Sequence, residues 1–411
     1  MDLRLSAPAS ANGSITLPSS KSITNRALLI AALCGGEPHV LRPALCDDTA
    51  VMIDALGREG GVIDVGAAGT AMRFLTAYFA TRAGMEVTLD GTERMRQRPI
   101  GVLVTAMRSL GAEIDYLGRE GCPPLRIKGR TLHGGDVMMD GSVSSQFISA
   151  VMMVMPAIGG GNIHFVGDKV STPYIHLTAS VMQQMGAQVN IVGDCITVGN
   201  GYQGNDCLVE TDWSAAPPWY ALAALLPQSQ LRLEGLSRDT IQGDSRLVEL
   251  GRVLGIGSSF DSTGVALDTS GFVACCCSSY ADMTDTPDLA LSWAVLLCLL
   301  ERSFRMTGVR TLHLKESSRV EALQAELMKL GYVLKIESED AISWYGERVP
   351  VGPEPPVIDP HGDHRLAMAF APAAVRFPDL VMKDAEVVDK SYPAYWRHLA
   401  QVGFNVSELA Q

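Results

Sequence analysis

Two kinds of predicted helix alternate along this 411-residue chain, and their alternation limits the folds it can adopt. Helices of the first kind begin with small polar or charged residues and are then apolar on every side, which is typical of helices enclosed in a core. They are predicted at residues 22–33, 70–80, 144–155, 214–226, 288–300 and 364–375. Helices of the second kind are amphipathic, end at a glycine and lead into a short apolar strand. This pattern implies sheets that face both layers of helices.

The enclosed helices start roughly 70 residues apart in every interval but the first. Short solenoid repeats have periods of about 20–50 residues, so the unit here is a longer one. Its length suits a module of strands and two helices. Six modules divide into three plus three, which predicts an α/β protein of two domains with a cleft between them.

The composition indicates a compact globular protein, since 47% of the residues are hydrophobic and 19% are charged. The net charge of −12 argues against a general nucleic-acid binder and a polybasic membrane-surface protein. We expect a cytoplasmic protein without a membrane span, because the sequence has no signal-peptide pattern and no apolar run of about 18 residues. The nine cysteines lack zinc-ligand spacing, which indicates reduced thiols and no metal site. A packed strand is predicted at Cys275, Cys276 and Cys277.

The first enclosed helix begins with two cations, Lys21 and Arg26, beside several serines. A helix N-terminus carries roughly half a positive elementary charge, so cations are disfavoured there unless an anion lies between them. Ammonium, guanidinium, hydroxyl and backbone N–H groups together describe an anion site. The alternative is a capped core helix with solvated charges. If all modules orient their enclosed helices alike, the polar N-termini converge on the cleft and suit a ligand with several negative groups.

Glycine and arginine residues near the second enclosed helix form another candidate site. Gly69 would let a ligand approach the backbone closely at the start of that helix. Arg94, Arg96 and Arg98 alternate, and on an extended segment they would all point to one side. A tight turn and a solvated face are the alternatives.

Hydroxyl groups mark the third enclosed helix and the helix after it. The residues concerned are Ser144, Ser145 and Gln146 at one start, and Ser171 and Tyr174 at the next. Capping of the helix N-termini alone could explain two of these serines.

Carboxylates and cations lie together in the second half of the chain. Lys315 and Arg319 are four residues apart and Glu316 and Arg319 are three apart, so all can share a helix face. Asp288 opens the fifth enclosed helix, either as an N-cap or as a carboxylate entering an apolar environment. Proton transfer on an anionic substrate needs such carboxylates among cations. Further polar groups at helix starts are Asp363, His364, Arg365 and Lys390.

Taken in order, these segments resemble the motifs of the 5-enolpyruvylshikimate-3-phosphate synthase (EPSP synthase) family over the whole chain. The matching segments are PSSKSITNR (18–26), AGTAMR (68–73), RMRQRPI (94–100), SVSSQF (142–147), PYI (173–175), PD (287–288), KESSR (315–319) and DHRLAM (363–368). One such segment is modestly specific, but eight in the same order are very specific.

The resemblance implies an inside-out α/β barrel fold in two similar domains, each of three βαβαββ modules with buried inner helices. It assigns residues 20–210 to the first domain and residues 1–19 with 211–411 to the second, with the active site in the cleft between them. It also implies a reaction in aromatic amino-acid (chorismate) biosynthesis. The enolpyruvyl group of phosphoenolpyruvate passes to the 5-hydroxyl of shikimate-3-phosphate through a tetrahedral intermediate, and phosphate is released. We expect no cofactor and a monomer.

The resemblance further implies roles for individual residues. As catalytic residues it implies Lys21, Asp288, Glu316 and His364, with Asp288 towards the 5-hydroxyl, Glu316 towards the methylene and His364 in support. Implied contacts to shikimate-3-phosphate are Lys21, Ser22, Arg26, Ser144, Ser145, Gln146, Ser171, Tyr174, Asp288 and Lys315. Implied contacts to phosphoenolpyruvate are Lys21, Gly69, Arg98, Gln146, Arg319, Arg365 and Lys390.

Three residues depart from the family pattern. Ala67 replaces a usual Asn, Phe74 a common Pro, and Thr311 a usual Asn. Because Gly69 is retained, we expect glyphosate to compete with phosphoenolpyruvate. Two alternatives remain: a UDP-N-acetylglucosamine enolpyruvyl transferase, for which Cys122 is the loop cysteine to consider, and a non-catalytic anion-binding relative.

Overall fold

The computed structural model describes residues 1–35, 38–167, 169–226, 228–270 and 279–409 and divides the chain into two compact units. The inserted unit is Ser19–Glu210, and the terminal unit joins Met1–Pro18 to Thr211–Gln411. The strand predicted at Cys275, Cys276 and Cys277 lies outside the described residues.

Each unit contains enclosed and amphipathic helices in alternation. The helices of the inserted unit are α1 (Lys21–Leu33), α2 (Asp47–Leu56), α3 (Gly69–Ala80), α4 (Glu93–Gln97), α5 (Gly101–Ser109), α6 (Ser145–Val154) and α7 (Thr172–Gln184). Those of the terminal unit are α8 (Pro217–Leu225), α9 (Leu247–Val253), α10 (Leu289–Leu299), α11 (Arg319–Lys329), α12 (His364–Phe370) and α13 (Tyr395–Gln401). Short 3-10 turns occur at Met155–Ile158, Trp213–Ala215, Gly243–Arg246, Arg310–Leu314, Ala371–Val375 and Ala385–Lys390.

The strands are short and fall between these helices. In chain order they are β1 (Leu3–Ser6), β2 (Asn12–Thr16), β3 (Val40–Leu41), β4 (Gly61–Asp64), β5 (Glu86–Asp90), β6 (Glu113–Tyr116), β7 (Leu125–Lys128), β8 (Gly135–Asp140), β9 (Gly161–Val166), β10 (Val189–Val192), β11 (Cys195–Val198), β12 (Cys207–Leu208), β13 (Gln230–Glu234), β14 (Gly257–Asp261), β15 (Gly264–Asp268), β16 (Ser279–Asp282), β17 (Phe304–Thr307), β18 (Lys335–Ser338), β19 (Ala341–Trp344), β20 (Val357–Ile358), β21 (Leu380–Met382) and β22 (Asn405–Glu408).

The sheets repeat one topology. Four-stranded sheets with the orders β4-β5-β7-β6 and β8-β9-β11-β10 lie in the inserted unit, which also contains the parallel pair β3-β12. The terminal unit contains the orders β2-β13-β15-β14, β16-β17-β19-β18 and β20-β21-β1-β22. In each four-stranded sheet the first two strands are parallel and the later pairings are antiparallel. The fold is therefore the predicted α/β fold built from βαβαββ modules.

The enclosed helices form the core of each unit. Helices α1, α3 and α6 pack together in the inserted unit, and α8, α10 and α12 do so in the terminal unit. Every residue of α8 is buried, and so is every residue of α10 except Ser292, because neither helix has a polar face to turn to solvent. The sixth predicted helix continues past α12 as the 3-10 turn Ala371–Val375, which contains Pro372.

The expectation of an extended segment at Arg94, Arg96 and Arg98 is wrong. Residues Glu93–Gln97 form helix α4, since Thr92 caps its N-terminus by accepting a hydrogen bond from the Met95 N–H. The three arginines therefore do not point to one side. Among the described residues no helix combines the length and the apolar character that a membrane span requires.

Candidate active site

Lys21 occupies the first position of α1 and forms an ion pair within the inserted unit. Its Nζ lies 2.7 Å from Asp48 Oδ2, and Asp48 is a buried residue in the first turn of α2. A carboxylate at the N-terminus of α2 is favourable, and it also compensates the cation at the N-terminus of α1. Asp48 is not among the residues predicted from the sequence, although two acidic residues open that helix. Lys21 is thus held at a polar helix start but is only half-buried.

Arg26 is enclosed by its own unit. Its guanidinium donates from Nε to Thr178 Oγ1 at 2.7 Å, from Nη1 to the Ser22 carbonyl at 2.8 Å and from Nη2 to Ser149 Oγ at 3.2 Å. Burial lowers the pKa of Arg26 to about 10, so it remains a cation at neutral pH. Its predicted contact with shikimate-3-phosphate stays a prediction, because these hydrogen bonds already explain why a cation is tolerated here.

Aromatic rings flank the Arg26 guanidinium. The ring of Phe74, one of the residues that depart from the family pattern, lies 5.2 Å from it, and the predicted ligand residue Tyr174 lies 5.9 Å from it. Both are cation–π distances. Arg26 and Tyr174 are thus brought together, and the buried Phe74 packs against the charge.

Gly69, Arg98 and Gln146 lie close together in the inserted unit. A Cβ atom placed on Gly69 would lie 2.6 Å from Arg98 Nη1, so the guanidinium occupies the space that glycine leaves open. Gln146 Nε2 donates to Thr70 Oγ1 at 3.3 Å, which links the starts of α6 and α3. Three residues predicted to contact phosphoenolpyruvate thus meet around one helix N-terminus, where backbone N–H groups favour an anion.

The serines of the inserted unit have different local roles. Ser144 is the N-cap of α6, and its hydroxyl accepts a hydrogen bond from the Gln146 N–H at 3.3 Å. Ser145 is buried and Ser22 half-buried, each in the first turn of its helix. Ser171 precedes α7 with a left-handed backbone, φ 54°. Capping explains Ser144, and the predicted ligand contacts of all four serines remain predictions.

In the terminal unit, one guanidinium binds three carboxylates. Arg319 begins α11 and donates from Nη1 to Asp288 Oδ1 at 2.6 Å, from Nη2 to Glu316 Oε2 at 3.1 Å and from Nε to Asp363 Oδ2 at 2.6 Å. Its side chain is 2% exposed. The two predicted acid–base residues, Asp288 and Glu316, are therefore held on neighbouring nitrogens of one side chain, although Lys315 and Glu316 precede α11 rather than lie on it.

Asp288 is the N-cap residue of α10, but its side chain caps nothing. Besides Arg319, its carboxylate lies 3.3 Å from Arg365 Nη2 and 3.5 Å from Lys315 Nζ. Burial opposes ionisation of the Asp288 carboxyl, but the Arg365, Lys315 and Arg319 cations outweigh burial and hold its pKa well below the ordinary value. The Asp288 carboxylate therefore does not act as a side-chain N-cap, and its predicted role towards a substrate stays a prediction.

His364, Arg365 and Lys390 are fixed by the elements around α12. The Asp363 carboxylate caps α12 by accepting from the Arg365 N–H at 2.9 Å, while also binding Arg319. His364 is buried, with Nδ1 3.8 Å from Asp363 Oδ1. Lys390 is buried at the end of the 3-10 turn Ala385–Lys390.

Sequence reasoning assigned no role to Asp363 and did not select Asp244. Asp244 is 3% exposed, its Oδ2 accepts from Ser214 Oγ at 2.6 Å, and its Oδ1 has no hydrogen-bond partner among the described residues. Burial raises the pKa of Asp244, while the nearby Arg365 and Lys315 oppose that rise. The segment DHRLAM (363–368) was a usable signal for Asp363, whereas nothing in the sequence around Asp244 marks that residue.

The other candidates from the sequence are a loop cysteine, a metal site and Thr311. Cys122 is 5% exposed and its thiol is free. The described part of the chain has no group of three or more His, Cys, Asp or Glu side chains that could hold a metal ion. Thr311 lies in the 3-10 turn before Lys315, where its Oγ1 is buried without a hydrogen-bond partner among the described residues.

Comparisons with known proteins give one consistent result. The sequence profile of the EPSP synthase (3-phosphoshikimate 1-carboxyvinyltransferase) family matches residues 5–63 and 57–399. A 3-phosphoshikimate 1-carboxyvinyltransferase of Bacteroides fragilis is 47% identical over 406 residues, covering 98% of each chain. One of Methanosphaerula palustris is 36% identical over 433 residues, covering 98% of this chain and all of the relative. An EPSP synthase structure from Acinetobacter baumannii has a TM-score of 0.75 at 20% identity over 99% of this chain.

Proposed function

Because this chain belongs to the EPSP synthase family, we propose that it is a 3-phosphoshikimate 1-carboxyvinyltransferase whose acid–base pair is Asp288 and Glu316. It transfers the enolpyruvyl group of phosphoenolpyruvate to the 5-hydroxyl of shikimate-3-phosphate and releases phosphate, a step of aromatic amino-acid biosynthesis. The observation that carries this function is the identity of 47% over 98% of the chain. The UDP-N-acetylglucosamine transferase is not favoured, since the relatives reported above share the other name.

The proposed chemistry needs two proton transfers at the methylene carbon. The 5-hydroxyl oxygen attacks C2 of phosphoenolpyruvate while its proton passes to the Asp288 carboxylate, and Glu316 in its protonated form protonates the methylene. C2 is then a tetrahedral centre bearing both the ether oxygen and the phosphate. Glu316 takes a proton back from the methyl group, and the bond between C2 and the phosphate oxygen breaks. The phosphate leaves with the proton that Asp288 took from the 5-hydroxyl, which restores the Asp288 carboxylate. A single carboxyl thus serves both steps at this carbon.

The cations explain how Asp288 could serve as a base despite its lowered pKa. In the free protein Lys315 and Arg365 lie near its carboxylate. In the proposed complex these two cations also interact with the anionic groups of the substrates. Their attraction to Asp288 is then weaker, which raises the pKa of the Asp288 carboxyl. Lys21, Arg98 and Lys390 would complete the binding of phosphate and carboxylate, and cations at the developing charge stabilise the transition state.

Phosphate release tests the proposal directly. We expect the purified protein to release phosphate from phosphoenolpyruvate with shikimate-3-phosphate, and not with UDP-N-acetylglucosamine. Turnover with the UDP-sugar, or none with either acceptor, would contradict it. The cleft as the location of the site, a monomeric state and a cytoplasmic location are parts of the same proposal, supported by the family and the sequence.

A further inference from the structure

The outer face of the sheet β8-β9-β11-β10 carries side chains in rows that run across the strands. In one row Asn162 donates from Nδ2 to Asp136 Oδ1 at 2.8 Å, and Thr197 donates from Oγ1 to Asn162 Oδ1 at 2.9 Å. These bonds show that the three side chains lie on the same face. Because alternate residues of a strand share a face, the residues two positions further along each strand form the next row on it.

That next row consists of a thioether, an imidazole and a thiol. Met138 is in register with His164 between the parallel strands β8 and β9, and His164 is in register with Cys195 between the antiparallel strands β9 and β11. Met138 is 65% exposed, the His164 side chain is 39% exposed, and Cys195 is a partly buried free thiol. Three side chains with metal-binding atoms thus lie side by side, each on a different strand.

The register also brings the ligand atoms within reach of one ion. The Phe165 N–H donates to the Asp194 carbonyl at 2.9 Å, so the neighbouring pair, His164 and Cys195, is a non-hydrogen-bonded pair of the ladder. Side chains of such pairs are the closest, with Cβ atoms about 4.5–5.5 Å apart. Strands β8 and β11 lie about 10 Å apart on either side of β9. The long, flexible side chain of Met138 can span much of this distance, so both sulfur atoms can meet above the imidazole.

A carboxylate lies beside the imidazole. His164 Nε2 is 3.8 Å from Asp136 Oδ2, and the other oxygen of Asp136 accepts the hydrogen bond from Asn162. In metal sites a carboxylate next to one ring nitrogen orients the histidine and makes it a stronger ligand through the other nitrogen. The negative charge of Asp136 also attracts a cation to this face of the sheet.

We propose that Met138, His164 and Cys195 bind Cu(I) on the outer face of this sheet. The Cys195 thiol releases its proton to solvent as the bond between copper and sulfur forms. Thiolate and thioether sulfur are soft ligands that prefer Cu(I), whereas Zn²⁺ is usually bound by four ligands from Cys, His, Asp or Glu. The spacing of the cysteines in the sequence does not reveal this site, because its ligands come from three strands and one of them is a methionine. The inference does not rest on the proposed transfer reaction.

Carbon-13 NMR of the methionine methyl groups in the reduced full-length protein tests the site. The Met138 signal is assigned by its loss in Met138→Leu, and the other methionine signals show that each variant is folded. At a Cu(I) level, set with bicinchoninate, that saturates the wild-type protein, we expect the Met138 signal to shift in the wild type and to stay in place in Cys195→Ser. Zn²⁺ should not shift it, because a thioether is a poor ligand for that ion. A wild-type Met138 signal that Cu(I) leaves unmoved, or a shift that persists in Cys195→Ser, would overturn the proposal.

The same signal, followed as the Cu(I) level is raised, gives the Kd of the site. Loss of an outer carboxylate costs about 10–100-fold in metal affinity, so we expect Asp136→Asn to raise the Kd about tenfold and His164→Ala to raise it about a hundredfold or more. Cys34→Ser, which changes another partly buried free thiol at the end of α1, is the matched control and should keep the wild-type Kd. A wild-type Kd in His164→Ala, or a Kd raised as much in Cys34→Ser as in His164→Ala, would overturn the assignment of the ligands.

Discussion

Arg319 Nη1 lies 2.6 Å from Asp288 Oδ1, and both side chains are buried. Neighbouring nitrogens of the same guanidinium bind Glu316 and Asp363, so one side chain sets the relative positions of the proposed base and acid. The planar fork of arginine suits this role, because its N–H groups are fixed relative to one another. The arrangement carries several measurable consequences.

Removing the Arg319 cation leaves buried carboxylates without their shared partner. We expect Arg319→Met to lower the free energy of unfolding of the terminal unit by about 3 kcal/mol. All five tryptophans of the chain belong to this unit, so urea titration followed by tryptophan fluorescence reports its unfolding. Arg310→Met, which removes an exposed guanidinium, is the matched control and should lower the free energy of unfolding far less. Equal stabilities of the two variants would contradict the role given to Arg319.

The lowered pKa of Asp288 predicts a pH dependence of stability. Burial opposes ionisation, but Arg365, Lys315 and Arg319 together stabilise the carboxylate in the folded protein. The contribution of the ionised Asp288 to the free energy of unfolding is therefore complete above the unfolded-chain pKa of about 3.9. It is lost as the pH falls below that value towards the folded-state pKa. Asp288→Asn should be less stable than the wild type at pH 7, and the difference should shrink between pH 4 and pH 2.5. A difference that stays constant over this range would show that the ion pairs do not stabilise the fold.

Gly69 keeps the Arg98 guanidinium close to the start of α3. A Cβ at this position would lie within 2.6–2.9 Å of three guanidinium atoms, so Gly69→Ala must displace Arg98. We expect the KM for phosphoenolpyruvate to rise about tenfold or more, with a smaller change in the KM for shikimate-3-phosphate. Gly135→Ala is the control, since its Cβ would meet nothing within 4 Å. An unchanged KM for phosphoenolpyruvate in Gly69→Ala would show that the position of Arg98 does not affect the binding of that substrate.

Retention of Gly69 also leads to a prediction about inhibition. We expect glyphosate to compete with phosphoenolpyruvate despite the departures at Ala67 and Phe74. Initial rates at several phosphoenolpyruvate concentrations should give lines of unequal slope that share one intercept on the reciprocal-rate axis. An absence of competition at millimolar glyphosate would refute this expectation.

The fold was largely predictable because its strongest signal is local. Helices such as α8 and α10 have no polar face, so the sequence alone predicts that they are enclosed in the core. The exception is α4, where alternating arginines suggested an extended segment. There the Thr92 cap decides the conformation, because its hydroxyl accepts from the Met95 N–H and so satisfies a backbone donor at the start of the helix.

The site was less predictable because its contacts join distant positions. Asp363 and Arg319 are 44 residues apart in the sequence, and the motif that contains Asp363 gave it no role. Asp244 becomes notable only through its burial and through an Oδ1 atom without a hydrogen-bond partner among the described residues, which no local pattern encodes. His313, in the turn Arg310–Leu314, likewise contacts the Glu339 carbonyl only because of where the turn between β18 and β19 lies.

The most direct test of the proposed chemistry is phosphate release by Asp288→Asn and Glu316→Gln, measured with phosphoenolpyruvate and shikimate-3-phosphate. Asp285→Asn, an exposed carboxylate three positions before Asp288, is the matched control. We predict that kcat falls by about 10²–10⁴-fold in each of the first two variants and stays near the wild-type value in the control. Wild-type phosphate release in both Asp288→Asn and Glu316→Gln would contradict the assignment of these residues as base and acid.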